Sequence, residues 1–405
     1  PHLYYGSTRD RYCNWQFFEF LKDKHCYRAV NEMWTSSAPS GQRDPWNKLA
    51  LSRGWSAEQL NDEFGEWAMH NVTWDYKNPP PTSGTKQDAV YRGAYGAIDN
   101  KQYTERRLRL TALEPLDAQW QQNRRFVVPS GWAPQRWGYN VIKLVPEPGA
   151  TSVRVKFRGV IQAGANSGFR WGLVATDAAI ATPRYSSLQR GTDAELSFCV
   201  QPDQALWLVV VATPTAIQKV IWDQAYPSIH RYPYMVELAG AWPESHAGGQ
   251  LPACPSGTAR HSNGNGCAPA NTPASVYVGP YARILGGNVS GSARIEDHAV
   301  IVSGNISGGT VGALSLVGTV SHPGVVSARS FNVSGSAKLM TTFYPLGFFA
   351  SGQSASGSAT LLGDVEFQGQ NASKSANVHS GFVDGNSAGV ASVNDVTAPP
   401  PYTWR

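Results

Sequence analysis

From Val276 to about Val383 the chain is a succession of short aliphatic steps separated by Gly, Ser, Ala and Asn. In VYVGPYARILGGNVSGSARIEDHAVIVSGNISG, the residues Val278, Ile284, Val289, Ile295, Ile301 and Ile306 recur at intervals of six or five positions. A step of about six residues is one flat face of a parallel β-helix, whose aliphatic side chain points inward while the small residues turn the corner. One such coil cannot bury its own core, so neighbouring coils must stack. The pattern constrains the fold tightly and says little about function.

The 405 residues leave room for about two to four domains. Aromatic residues make up 11% of the chain and charged residues only 16%, with 14 Trp, 40 Gly and 27 Pro. That balance suits a rigid, loop-rich, mainly β protein of the extracellular kind. The net charge of +5 is dispersed and no basic block occurs, so no nucleic-acid partner is expected. The longest apolar run, Leu206–Ala212, falls short of the ~18 residues of a membrane span.

Among the five cysteines, Cys254 and Cys267 bracket PSGTARHSNGNG, a loop too polar and Gly-rich to hold its shape by packing. A disulfide there is the natural staple, and it implies an oxidising compartment. Cys13 and Cys26 can pair only if the chain reverses near Lys22–His25, since on one continuous helix they would stand about 20 Å apart. Cys199, in the strand-like LSFCVQ, is expected to be a buried free thiol. Asn-x-Ser/Thr sequons at Asn71, Asn288, Asn305, Asn332 and Asn371 are what Gly/Ser/Asn-rich coils produce by chance, and signify glycosylation only in a eukaryotic source. Pro1 opens almost directly onto an aromatic helix, which reads as a cut inside or just before a domain.

The expected architecture is multidomain and mainly β. Residues 1–76 read as a small α-helical domain, incomplete at its start. Asp44-Pro45 and the capping box Ser56-Ala57-Glu58-Gln59 open two of its helices, and Leu60, Phe64, Trp67 and Ala68 form a core stripe. Residues 77–125, with PPPTSG, read as an extended arm. Residues 126–242 alternate as strands broken by Gly and Pro turns and predict an antiparallel β-sandwich. Residues 243–275 form the stapled linker, 276–390 a left-handed parallel β-helix of hexapeptide-like steps, and 391–405 a Pro-rich surface tail.

In that order, the segments WQFFEFL, AVNEMW, FGEWAMHNVTWDY, GYNVIKL, RYPYMVELAGAWP and YVGPYARILGG resemble the secreted avirulence-type proteins of plant-associated bacteria and some fungi, the Svx/AvrXca-like group. The resemblance implies a type II-secreted protein with a zinc-peptidase-like N-terminal domain acting on host or environmental polymers. It also implies a His-Glu-x-x-His helix preceding the segment seen here. None of the nine histidines forms His-x3-His, so those ligands would come from an upstream fragment of the same precursor. On this resemblance Glu19 would be a surviving Zn2+ ligand, with His25 and Glu32 as weaker ones.

From spacing alone, Glu63, Glu66 and His70 fall at i, i+3 and i+7 of one helix and can converge on a cation, with Asp75 behind them. The same three residues equally describe a solvated helix face. Trp132, Trp137 and Trp171, with Tyr139 and Arg170, offer flat faces for stacking on sugar rings, or else fill the sandwich core. His298 in IEDHAV holds the place of the general base of hexapeptide-repeat acyltransferases, but reads better as a surface coil residue. Three functions follow as expectations: a processed metallopeptidase-like protein inactive by itself, a carbohydrate-binding or adhesion protein recognising polysaccharide or a host surface protein, and a structural protein that self-assembles through its β-helix.

Overall fold

The computed structural model describes residues 15–35, 45–76 and 110–313, with breaks at 118, 130–131, 162–165, 178–182, 217–230, 297–298 and 302–304. Beyond 313 it describes only paired strands, as far as Val383. Cys13, His298, most of the expected arm (77–109) and the tail 391–405 lie outside the described residues.

Three helices come first. α1 (Trp15–Thr35) is broken at Cys26, where φ is 63° and ψ 170°, so WQFFEFL and AVNEMW lie on separate helical pieces. Its Phe17, Phe20 and Leu21 are buried while Trp15 is exposed. α2 (Pro45–Arg53) starts on a proline, whose fixed φ suits a first turn. α3 (Ala57–His70) starts on the expected capping box. The Gln59 N–H donates to Ser56 Oγ at 3.2 Å and the Ser56 N–H to Gln59 Oε1 at 2.8 Å. Its stripe of Leu60, Phe64, Trp67 and Ala68 is buried.

Two antiparallel sheets follow. The first runs, in spatial order, β1 (Glu114–Pro115), β2 (Arg125–Val127), β10 (Tyr234–Ala239), β4 (Ser152–Gly159) and β8 (Asp193–Cys199). The second runs β11 (Ala241–Pro243), β3 (Tyr139–Pro146), β9 (Ala205–Ala212), β5 (Phe169–Thr176) and β6 (Arg184–Tyr185), with β7 (Gln189–Arg190) also on β5. Phe126, Val155, Phe157 and Val236 of the first sheet meet Ile142, Trp171, Leu208 and Val210 of the second in one core. The opposite face of the second sheet, with Val141, Val174, Val209 and Val211, packs on the three helices in another. Burial on both faces explains why β5 is buried throughout and β9 reads as a continuous apolar run. β8, at an edge with one face outward, alternates instead.

That alternation corrects one expectation. Ala194, Leu196 and Phe198 turn toward the core, so Cys199 turns outward and is an exposed free thiol rather than a buried one. A second correction concerns residues 110–125, expected in an extended arm. They supply β1 and the short helix α4 (Trp120–Asn123), because Leu113 has a place in the sandwich core.

After β11 the chain passes through a 3-10 stretch (Glu244–Gly249) to β12 (Ala259–Arg260) and β13 (Cys267–Ala268), an antiparallel pair. The Cys254–Cys267 disulfide is formed. Cys26 is an exposed cysteine, and the expected Cys13–Cys26 pairing falls outside the described residues. The left-handed φ that breaks α1 at Cys26 leaves its side chain at the surface.

Beyond the β12–β13 pair the described pairings are parallel, in two-to-four-residue strands that fall in three ladders and one further pair. One ladder continues through β15 (Arg283–Ile284), β18 (Val300–Ile301) and β21 (Leu316–Val317). A second holds β14 (Tyr277–Val278), β17 (Arg294–Ile295), β20 (Thr310–Ala313), β23 (Lys338–Thr341), β25 (Thr360–Leu361) and β28 (Asn377–Val378). The third holds β16 (Asn288–Val289), β19 (Asn305–Ile306), β22 (Asn332–Val333), β24 (Ser354–Ser356) and β27 (Asn371–Ser373). The remaining pair is β26 (Val365–Phe367) with β29 (Gly381–Val383). The aliphatic residues that set the sequence period are buried and stack in register, Val278 on Ile295, Ile284 on Ile301 and Val289 on Ile306.

Candidate functional site

Charged groups of the helical layer gather where the first piece of α1 meets α3. Lys24 Nζ donates to Glu63 Oε2 at 3.0 Å and to Glu66 Oε2 at 2.5 Å. His25 Nε2 lies 3.1 Å from Glu63 Oε1, and its ring meets Trp55 edge-on. Burial works against the Glu63 carboxylate, but the His25 hydrogen bond and the Lys24 charge outweigh it and hold its pKa below the ordinary value. Burial likewise pulls Lys24 down, and Glu63 and Glu66 overcome this to raise it.

The four expected metal ligands are not brought together. Glu63 and Glu66 share an ammonium group. His70 has turned to the end of its own helix, with Nδ1 2.5 Å from the Asp75 carbonyl and its ring stacked on Tyr185 at 4.4 Å. Glu19 pairs with Lys22 on α1. A lysine seated between two carboxylates occupies the position and supplies the charge that a cation would, so this arrangement does not fit zinc. Among the described residues no group of three His, Cys, Asp or Glu side chains is placed to hold a metal ion. Spacing on α3 located the two carboxylates correctly; nothing in it could signal Lys24, whose approach depends on how α1 crosses α3.

Of the two expected readings of the tryptophans, core filling holds and the sugar platform does not. Trp132, Trp137 and Trp171 are 5%, 1% and 0% exposed. Trp132 and Trp171 fill the sandwich core, and Trp137 stacks on Phe64 at 5.1 Å within the helix–sheet core. A ring buried on both faces offers nothing to a saccharide. Arg170, read alongside them, is also buried. It donates from Nε to Asp62 Oδ1 and from Nη2 to Glu58 Oε2, both at 2.6 Å, and so clamps α3 to β5.

The ladders carry a pattern that sequence inspection dismissed. Asn288, Asn305 and Asn332 stand in one register, followed by Ser354 and then Asn371. Four of the sequons thus fall at one register position of one ladder. Asn288 and Asn305 are exposed while Val289 and Ile306 behind them are buried. Asn71, the fifth, is buried in the helical layer, where its Nδ2 donates to Tyr139 OH at 2.8 Å.

Residues 1–245 match the model of a family of unknown function, DUF6055. The chain belongs to the DUF6055 family. The match takes in the helices and both antiparallel sheets and ends in the 3-10 stretch, ahead of the ladders. A search of the curated proteins found no match.

The end of the DUF6055 region is also where the ladders dock. His246 is fully buried among Trp120, Phe126 and Tyr281, with Nδ1 2.8 Å from Ser245 Oγ and Nε2 3.3 Å from Tyr281 OH. Burial, reinforced by nearby Glu114, pushes the Tyr281 phenol well above its ordinary pKa, so it stays protonated. Gln121 of α4 adds a hydrogen bond to the Gly249 carbonyl at 2.9 Å. No helix among the described residues is long and apolar enough to cross a membrane.

Proposed function

We propose that the chain is a secreted, non-catalytic binding protein that attaches to uncharged polysaccharide, with the three ladders coiling as a left-handed parallel β-helix. The observation that carries this reading is the in-register column Asn288, Asn305 and Asn332 on one ladder. A primary amide donates two hydrogen bonds and accepts two, so a regular column of them matches a polymer of hydroxyl groups without needing a counter-charge. Strands in such a ladder repeat about every 4.8 Å, which sets a fixed spacing for those groups. The Cys254–Cys267 disulfide supports secretion, since such bonds persist in oxidising compartments. Co-sedimentation of the full chain with insoluble chitin and cellulose tests the binding. Retention of the wild type, lost in the Asn288→Asp/Asn305→Asp variant, is the expected outcome; a chain that stays in the supernatant with both polymers removes the reading.

Kinship with the avirulence-type group enters this proposal as the origin of the helical layer. Besides the missing His-x3-His pair, Lys24 sits between the carboxylates that a zinc site would use. Metal analysis of the dialysed full chain checks this, and stoichiometric zinc would remove that reading of Lys24.

A further inference from the structure

A parallel ladder has two ends, and each offers unpaired backbone groups to any strand of matching geometry. At the first end of two of these ladders such groups are already taken. The Val278 carbonyl of β14 accepts from the Gly266 N–H at 2.8 Å, and the Val278 N–H donates to the Asn263 carbonyl at 2.9 Å. On the adjoining ladder the Cys267 N–H donates to the Ala282 carbonyl at 3.1 Å, and Cys267 pairs with Arg283. The groups that cover both edges belong to the loop closed by the Cys254–Cys267 disulfide, or to its closing cysteine.

The fit is a backbone-to-backbone one. A Cβ on Gly264 would meet the Val278 carbonyl oxygen at 2.3 Å, and one on Gly266 would meet that of Gly279 at 2.2 Å. Gly264 also holds a φ of +102°, which side-chain-bearing residues rarely adopt. Arg260, inside the loop, donates to the Asn265 carbonyl at 2.9 Å and the Pro280 carbonyl at 3.1 Å, tying loop to ladder from a second side. The Gly-rich composition that prevents the loop from packing by itself is what lets it lie flat on the edge.

We propose that the disulfide-closed loop is a guard that keeps the first edge of the ladders from pairing with a second copy of this chain. The occupant it excludes follows from the geometry. The edge at β14 demands a parallel strand, and the far end of the same ladder in another copy, at β28 (Asn377–Val378), offers one. That contact is head-to-tail and does not close on itself, so an unguarded chain would grow into filaments. This inference rests on the β-helix reading above and is independent of polysaccharide binding.

The test is sedimentation velocity over a wide concentration range on the full chain and on the Cys254→Ser/Cys267→Ser variant, with amide exchange in parallel. The wild type stays a single species; the variant exchanges faster at Gly266 and Val278 and forms species that grow with concentration. Gly266→Val, which keeps the disulfide but forces the loop off its edge, must associate in the same way, and decides the matter if the cysteine variant loses its near-ultraviolet tryptophan signal. A released loop on a chain that stays monomeric overturns the proposal. So does a loop that stays docked without the disulfide, or a wild type that already grows. Slow exchange at Arg283 and Leu285, whose amides bond within the ladder, checks the ladders themselves and separates their failure from that of the guard.

Discussion

The indole N–H of Trp137 donates to Oδ1 of Asn61 across 3.0 Å, a buried bond joining the entry to β3 with the middle of α3. Asn61 passes the link on, since its Nδ2 donates to the Pro214 carbonyl at 2.7 Å. One buried amide thus ties the helix to two separate places on the sheet. Trp137 holds a left-handed φ of 59° to make this contact, a conformation that costs a non-glycine residue free energy and persists only where its surroundings hold it.

Trp137→Phe keeps the stack on Phe64 and removes the donor. The Asn61 oxygen then stays buried without its partner, and the expected loss of stability is about 1–3 kcal/mol. Trp171→Phe is the contrast, because the Trp171 Nε1–H is buried and meets no acceptor among the described residues. There the smaller ring leaves a void but also removes an unsatisfied donor, so the loss should be the lesser of the two. Urea denaturation of both variants, followed by tryptophan fluorescence, measures the difference; equal losses would remove the role given to Asn61.

Arg170 is 3% exposed and faces two carboxylates. Asp62 keeps a second cation, Arg190 Nη2 at 2.5 Å, when Arg170 is lost, whereas Arg170 loses its main partner when Asp62 is lost. Arg170→Met should therefore cost less than Asp62→Ala, the second approaching the ~3–5 kcal/mol of a stranded buried charge. Arg170→Lys should recover little of the loss, since an ammonium cannot span Asp62 and Glu58 as the guanidinium fork does. Thermal unfolding of the three variants ranks them.

Gly65 lies on the face of α3 that meets β5. A Cβ there would stand 2.9 Å from Cβ of Arg170 and 3.0 Å from both methyls of Leu188. Gly65→Ala should destabilise by about 1–3 kcal/mol through overpacking, against the usual gain of an alanine in a helix. At Gly172 the new methyl would meet the end of the Met69 side chain at 2.8 Å. A thioether can swing aside, so Gly172→Ala should cost less. Chemical denaturation of the two variants decides it.

The ladders were legible because one aliphatic per step must face inward, and that demand writes a period into the residues themselves. The capping box was legible for the same local reason, its donors and acceptors lying three residues apart. For Trp132, Trp137 and Trp171 the sequence left a sugar platform and a core open, because a tryptophan suits both equally well; their burial in the two cores decides it. Lys24 approaches Glu63 and Glu66 only through the packing of two helices, which no spacing announces. The Asn column was visible as sequons, but its common register lies in how strands separated by unequal lengths of chain pair.

Lys24 also gives the acid limb of stability its expected shape. Glu63 has a pKa below the ordinary 4.5, because His25 and Lys24 outweigh its burial. A carboxylate lowered on folding contributes stability that is complete above its unfolded value and vanishes as pH falls through the folded one. The Glu63 contribution is therefore full at neutral pH and lost progressively below about 4.5. Lys24, raised above 10.5, works in the opposite sense: its share is present below that value and is lost as pH climbs beyond it. Glu63→Gln should cost about 1–3 kcal/mol at pH 7 and flatten the fall in stability below pH ~4.5, since the variant has no proton to take up there. Lys24→Met should leave two carboxylates without their shared cation, lowering stability more at neutral pH than in acid, where Glu63 takes up a proton. Urea midpoints between about pH 3 and 8 for the wild type and both variants supply the comparison. Parallel curves for all three would remove the ion cluster from any part in holding α1 on α3.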